Sequence, residues 1–205
     1  GKFIVILYVA CILQLLIQLV ALSFFKVNPL IYLKKSYSLL LLAFTSRSSL
    51  GVLPATIDTL TQKLGVSQGT ASFVSSFGTT AGMQGCAGVF PALLIVYVAN
   101  TSGTPIDISL IIMSVIVITI GSIGIAGIPG TSTMAASVSL SGVGLGASFA
   151  YITPILAIDP IIDMMRTMLN VSGSLTNAIM VDRQLDLMDM KRYHDKELTD
   201  PLQDM

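Results

Sequence analysis

Between Lys63 and Asp159 a single formally charged residue, Asp107, interrupts the chain. A stretch that long and that bare cannot serve as the solvated outside of a globular domain, because soluble domains keep roughly 25% of their residues charged. Here 11% are charged, 53% are apolar and the mean hydropathy is +0.84. In a bilayer every backbone N–H and C=O needs a partner within the protein, and apolar segments of this length meet that need as helices. The expected class is therefore an all-α membrane protein.

Residues 1–26 read as one transmembrane helix, about the ~20 residues a bilayer needs, with Lys2 and Lys26 at the interfaces. Residues 28–64 read differently. The apolar run Leu39 to Phe44 stops at Thr45-Ser46-Arg47-Ser48-Ser49, and a second helical arm resumes near Pro54. Each arm has about 15 residues, roughly 22 Å of helix against a hydrocarbon core of ~30 Å, so a re-entrant hairpin fits better than two spans. Residues 67–100 are long enough to cross, but the glycine-rich polar patch from Gly78 to Cys86 predicts a broken helix. Residues 105–143 repeat the hairpin pattern, with a tip from Gly121 to Ser132 in which every third residue up to Gly130 is glycine. Residues 148–190 form the last helix, and 193–205 a charged cytoplasmic tail expected to be frayed or disordered.

Lys26, Lys34, Lys35 and Lys63 surround the base of the first hairpin, and Arg183, Lys191 and Arg192 follow the last helix. The turns at 100–107 and 142–148 carry no Lys or Arg. By the positive-inside rule the first hairpin enters from the cytoplasm and the second from outside, so their tips should meet near the midplane. Paired, Gly/Pro-interrupted segments are the sequence pointer to a transporter's binding site.

Asp163, Arg166, Asn170 and Ser174, spaced three, four and four apart, fall on one face of the last helix. Charges at membrane depth are tolerated facing a polar cavity, an ion path or a substrate. The bland reading is an i,i+3 ion pair that neutralises itself. Cys11 and Cys86 lie in apolar segments without ligand spacing and are expected to be free thiols. His194, the sole histidine, sits in the tail, which leaves no raw material for a transition-metal site or a His-based triad. Zero net charge without a basic patch beside aromatics excludes nucleic acid. The chain starts at Gly1 without a signal-peptide pattern and is expected to be the C-terminal portion of something larger.

Three stretches, Ala43 to Ser49, Ala126 to Gly130 and Asp163 to Gly173, closely resemble the signatures of the dicarboxylate/amino acid:cation symporter family, which includes glutamate transporters. Thr45 to Ser49, Gln84 to Gly88 and Asn170 to Ser174 look most like its bacterial L-cystine symporter branch. The resemblance implies a multi-pass protein of the bacterial cell membrane and a homotrimer, in which a mobile transport domain moves like an elevator past a fixed scaffold. Residues 1–192 resemble most of that transport domain, with two re-entrant hairpins and a broken helix. The scaffold helices are largely missing.

By the same resemblance Asp163 binds the substrate ammonium, Arg166 a second carboxylate and Asn170 the α-carboxylate, with Ser49 assisting. Met83, Cys86 and Thr167 border the pocket, and Ile128 and Ser132 close over it. Cys86 stands where glutamate-transporting relatives carry a Thr, which speaks for a different substrate end. Cation sites are implied at Gly78 and Ser174, and at backbone oxygens near Thr80, Ser122, Ile123 and Ile125. Sodium-driven members, however, carry Asn and Asp where this chain has Gly82 and Gln84, and Asp where Ser174 stands. With those oxygens gone, either fewer sodium ions or a proton drives uptake, with Asp159 as proton carrier or, more simply, as a structural partner of backbone or hydroxyl groups. Arg47 is a structural anchor or a gating charge. No cofactor is implied beyond the co-transported cation, Na+ or H+. The expected function is symport of an amino acid, L-cystine first, with glutamate, aspartate or other dicarboxylates as the alternative and a channel-like pore as the remote one. An intramembrane hydrolase lacks a group facing Asp159 and Asp163 and a base for Ser48 or Ser49.

Overall fold

A computed structural model describes residues 1–81, 83–125, 127–128 and 130–195. Gly82, Ala126 and Pro129, which the sequence motifs above include, and residues 196–205 of the tail lie outside the described residues. Helix α1, Lys2–Phe24, is 23 residues long and presents one narrow buried stripe, Leu7, Cys11, Gln18 and Leu22. Its other faces carry exposed Ile6, Leu13, Ile17 and Val20, suited to an apolar solvent.

Asn28 caps α2, Pro29–Ser46, by accepting from the Leu30 N–H, and Pro29 pre-sets the first turn. The helix stops at Arg47, whose left-handed φ of 55° turns the chain while its N–H bonds the Ala43 carbonyl. The return arm is α3, Leu53–Asp58, running into a π-turn over Thr59–Lys63. Next comes α4, Gln68–Gly78, then the break, then a π-turn over Gly85–Val89 that opens into α5, Phe90–Ser102. Asp107 caps α6, Ile108–Gly121, and a 3-10 turn over Ser122–Gly124 ends that arm. Helix α7 covers Ser132–Gly142. A 3-10 segment Gly146–Ile152 and α8, Thr153–Ala157, lead to α9, Asp159–Gln184, and to α10, Met190–His194. Among the described residues no strand occurs.

Helix α9 is the axis. It packs against α1, α2, α4 and the π-turn ahead of α5, and buries sixteen residues to do so. Two apolar cores flank it: one holds Leu39, Leu40, Leu60, Leu64 and Tyr193, the other Phe90, Leu94, Leu140 and Ile152. By length and composition α1 and the run Gly85–Ser102 can each cross a bilayer.

Two expectations need correction. Residues 148–190 are not one helix: the axis bends by 87° between Gly146–Ala157 and Asp159–Gln184. Pro160 in the first turn of α9 cannot donate a backbone bond and its ring clashes with the preceding turn, so the helix must restart there. Nor is the start of the tail frayed. Tyr193 is fully buried and its hydroxyl donates to the Asn28 carbonyl at 2.8 Å, while the Lys35 ammonium donates to the carbonyls of Lys63 and Arg192 at 2.9 and 2.6 Å. The charges of residues 186–195 masked one amphipathic tyrosine that supplies the docking energy.

The two hairpin tips touch. Gly127 donates its N–H to the Thr79 carbonyl at 2.7 Å, and its own carbonyl accepts from the Leu50 N–H at 3.0 Å and the Ser48 hydroxyl at 3.3 Å. A Cβ at Gly127 would sit 2.9 Å from the Thr79 oxygen and 3.0 Å from Ser49 Cβ, so this approach requires glycine.

Candidate functional site

The polar face of α9 meets the broken helix at Gly85. A Cβ there would fall 2.5 Å from the Arg166 carbonyl oxygen and 2.8 Å from its Cα, so only glycine lets the π-turn lie directly on α9. That contact brings Asn170 Oδ1 to the Gly85 N–H at 2.7 Å and the Cys86 N–H at 3.3 Å, where it satisfies donors exposed at the start of the turn. Asn170 Nδ2 donates to Cys86 Sγ at 3.1 Å, and the thiol in turn lies 3.7 Å from Asp163 Oδ1. A continuous strip of polar groups thus runs from Asp163 through Cys86 to Asn170.

Arg166 is fully buried. Its Nη2 pairs with Asp159 Oδ1 at 2.6 Å and Asp163 Oδ1 at 3.0 Å, and its guanidinium lies 4.1 Å from the Phe90 ring centroid. The i,i+3 ion pair therefore exists, but it does not exhaust the site: among the described residues Nε and Nη1 of Arg166 have no partner. Buried donors left unmade cost on the order of 1–3 kcal/mol each, so these two N–H groups favour an acceptor from outside the described residues. Asp159 is a partner of Arg166, not of the backbone or hydroxyl groups expected from sequence.

Met83, Cys86 and Ile125 share a small buried cluster with Ala87 and Ala135, which joins the broken helix to the second hairpin. Ser49, Ser132 and Thr167 are buried at the first tip, the start of α7 and on α9. Ile128 and Ile123 are instead exposed, at 49% and 67%. The hydroxyls of Thr80 and Ser122 bond carbonyls of their own helices, Phe77 and Thr119. Gly78 and Ser174 pack together, since a Cβ on Gly78 would sit 2.5 Å from Ser174 Oγ. Beside them a cavity of about 170 Å³ has a mixed lining, with Val74, Phe77 and Ala81 next to Gln84, Asn170, Ser174 and Asn177. Cys11 and Cys86 are both buried and unbridged.

Sequence reasoning overlooked Phe90, because aromatic residues in an apolar segment carry no signal of what they face. It also passed over Gln14 and Gln18, although two glutamines four apart in α1 are an i,i+4 polar pair in an apolar helix and were legible as such.

The chain matches the model of the sodium:dicarboxylate symporter family over residues 1–184. It is similar to the L-cystine uptake protein TcyP of Bacillus licheniformis, 40% identical over 197 residues covering 96% of this chain and 42% of the relative. Similar too are the TcyP proteins of Bacillus cereus, 40% identical over 195 residues with 95% and 42% covered, and of Shouchella clausii, 39% identical over 206 residues with 100% and 44% covered. The chain spans less than half the length of these relatives.

Proposed function

The chain belongs to the sodium:dicarboxylate symporter family, and from that premise we propose that the protein carrying it takes up L-cystine by cation-coupled symport across the cell membrane. One observation carries the reading: Arg166, fully buried, has Nε and Nη1 without a partner among the described residues, while Asp163 stands 3.0 Å away on the same helix face. A guanidinium with open N–H groups is a carboxylate seat, and a carboxylate beside it is an ammonium seat. Both signs in one cleft suit a zwitterion, and cystine brings two ammonium and two carboxylate groups.

In this reading Asp163 takes an ammonium and Arg166 a carboxylate. Asn170 gives its oxygen to Gly85 and Cys86 and one N–H to the Cys86 thiol, which leaves its second N–H for the substrate's other carboxylate. Cys86, between Asp163 and Asn170, then sets the size and polarity of the pocket wall. Ser49, Met83, Thr167, Ile128 and Ser132 border or cover the substrate. Because Gly127 bonds Thr79, Leu50 and Ser48, the substrate is enclosed when the second tip rests on the first, and parting the tips opens it. Residues 1–192 act as the moving part of an elevator, with the hairpins entering from opposite sides, in a homotrimer held by scaffold helices outside this chain.

The test is uptake of labelled L-cystine into proteoliposomes containing the full protein, under imposed sodium or proton gradients. Saturable accumulation of L-cystine under one of them is the expected result. Robust uptake of aspartate without L-cystine would overturn the substrate, and non-saturating flux of both would point to a pore.

A further inference from the structure

We infer that Gln84 disfavours a metal cation in the cavity beside Ser174, and so limits which ion this transporter can hold at that place. The inference rests on the symporter reading and adds the role of one side chain. It comes from the direction of a buried hydrogen-bond chain. Ser172 Oγ donates to Gln18 Oε1 at 2.6 Å; Gln18 Nε2 donates to Gln84 Oε1 at 2.6 Å; Gln14 Nε2 donates to the same oxygen at 3.0 Å. The Leu169 carbonyl, 3.5 Å from the Gln18 amide, can only accept, so the Gln18 atom facing it is nitrogen. The Gln84 atom facing Gln18 is then its oxygen, already bonded twice.

That leaves Gln84 Nε2 beside Gly173, where a Cβ would lie 3.1 Å from it and 3.4 Å from Gln18 Nε2; Gln84 and Gly173 both line the cavity of about 170 Å³. Asn170 offers no oxygen there either, because Oδ1 is held by the N–H groups of Gly85 and Cys86. Hard cations are bound by oxygens, and an amide NH2 at the seat presents them with positive hydrogens. An amide N–H on this wall favours a hydrogen-bond acceptor, with water the smallest, over Na+, although Ser174 and Asn177 bring oxygens to the same lining. Gln84 is thus a specificity-determining residue acting by its amide orientation, which Gln14 and Gln18 of α1 impose.

The test needs no substrate. Thermal unfolding of the full protein in detergent is followed at pH 8 while sodium replaces choline at constant ionic strength, for wild type, Gln84→Glu and Gln84→Leu. Gln84→Glu should lower the sodium concentration at half-maximal stabilisation by at least about tenfold. Gln84→Leu should keep the wild-type sodium response. A weakened response in Gln84→Leu would show that the amide oxygen was a cation ligand and overturn the inference, as would a folded Gln84→Glu that responds like wild type. Should Gln84→Glu not fold, Gln84→Leu decides alone. Loss of the transport reading shows separately, as absence of L-cystine uptake with the sodium titration intact.

Discussion

The centroid of the Phe90 ring lies 4.1 Å from the Arg166 guanidinium, and both residues are fully buried. A cation over an aromatic face, desolvated as this one is, gains roughly 2 kcal/mol. The ring packs against the guanidinium and so restrains the side chain that carries the unpartnered N–H groups. Phe90→Leu removes the aromatic face without emptying the space. It should weaken L-cystine binding by roughly 5- to 30-fold, with Phe90→Tyr near wild type, measured by calorimetry on the full protein. Equal affinity in Phe90→Leu would mean that the ring only fills volume.

Arg166→Ala is a poor probe, because it strands the buried carboxylate Asp163 and the partly buried Asp159 at a cost of about 3–5 kcal/mol. Arg166→Lys keeps a charge for them and loses the planar fork. It should fold, yet bind L-cystine at least about tenfold more weakly. Wild-type affinity would remove Arg166 from the pocket.

Asp182, fully buried on α9, accepts from the Ser67 N–H at 2.8 Å and the Ser67 hydroxyl at 2.7 Å at the start of α4. Asp182→Asn weakens a charge-assisted cap supplied from another helix. Stability should fall by about 1–3 kcal/mol, read from the unfolding midpoint, with substrate affinity unchanged. A loss of affinity at unchanged midpoint would contradict a purely structural role.

Gly127→Ala places a methyl group 2.9 Å from the Thr79 oxygen and 3.0 Å from Ser49 Cβ. The tips should then rest apart, and Cys86, 5% exposed when they touch, should become open to reagent. In a Cys11→Ala background the maleimide labelling rate of Cys86 should rise severalfold over the Gly127 parent. An unchanged rate would show that this contact does not cover the site.

Lys35→Met deletes the bond that ties the base of the first hairpin to the Arg192 carbonyl, together with its bond to the Lys63 carbonyl, each charge-assisted and worth about 1.5–3 kcal/mol. Tryptic cleavage at Lys191 and Arg192 should accelerate. Resistance equal to wild type would mean that Tyr193 alone holds α10 in place.

Much of the architecture was legible before any coordinates. The bare stretch around Asp107 required internally bonded helices, and the Gly/Ser runs at 45–49, 78–86 and 121–132 marked where those helices stop. The 87° bend was legible in principle, since Pro160 sits in plain view, but an apolar run read by length alone hides it. The tail was misread because charge was weighed and Tyr193 was not.

Along the chain itself, helix period and the cost of burying charge are local quantities, so the sequence alone determined the class, the breaks and the face on which Asp163, Arg166, Asn170 and Ser174 stand. Which groups answer that face is not local. Gln84 takes its orientation from Gln14 and Gln18, 70 and 66 residues away, and Arg166 takes its restraint from Phe90 across a helix contact that Gly85 permits. Hydrogen-bond direction and side-chain packing depend on partners that only the folded chain brings together, and only the tertiary structure could decide them.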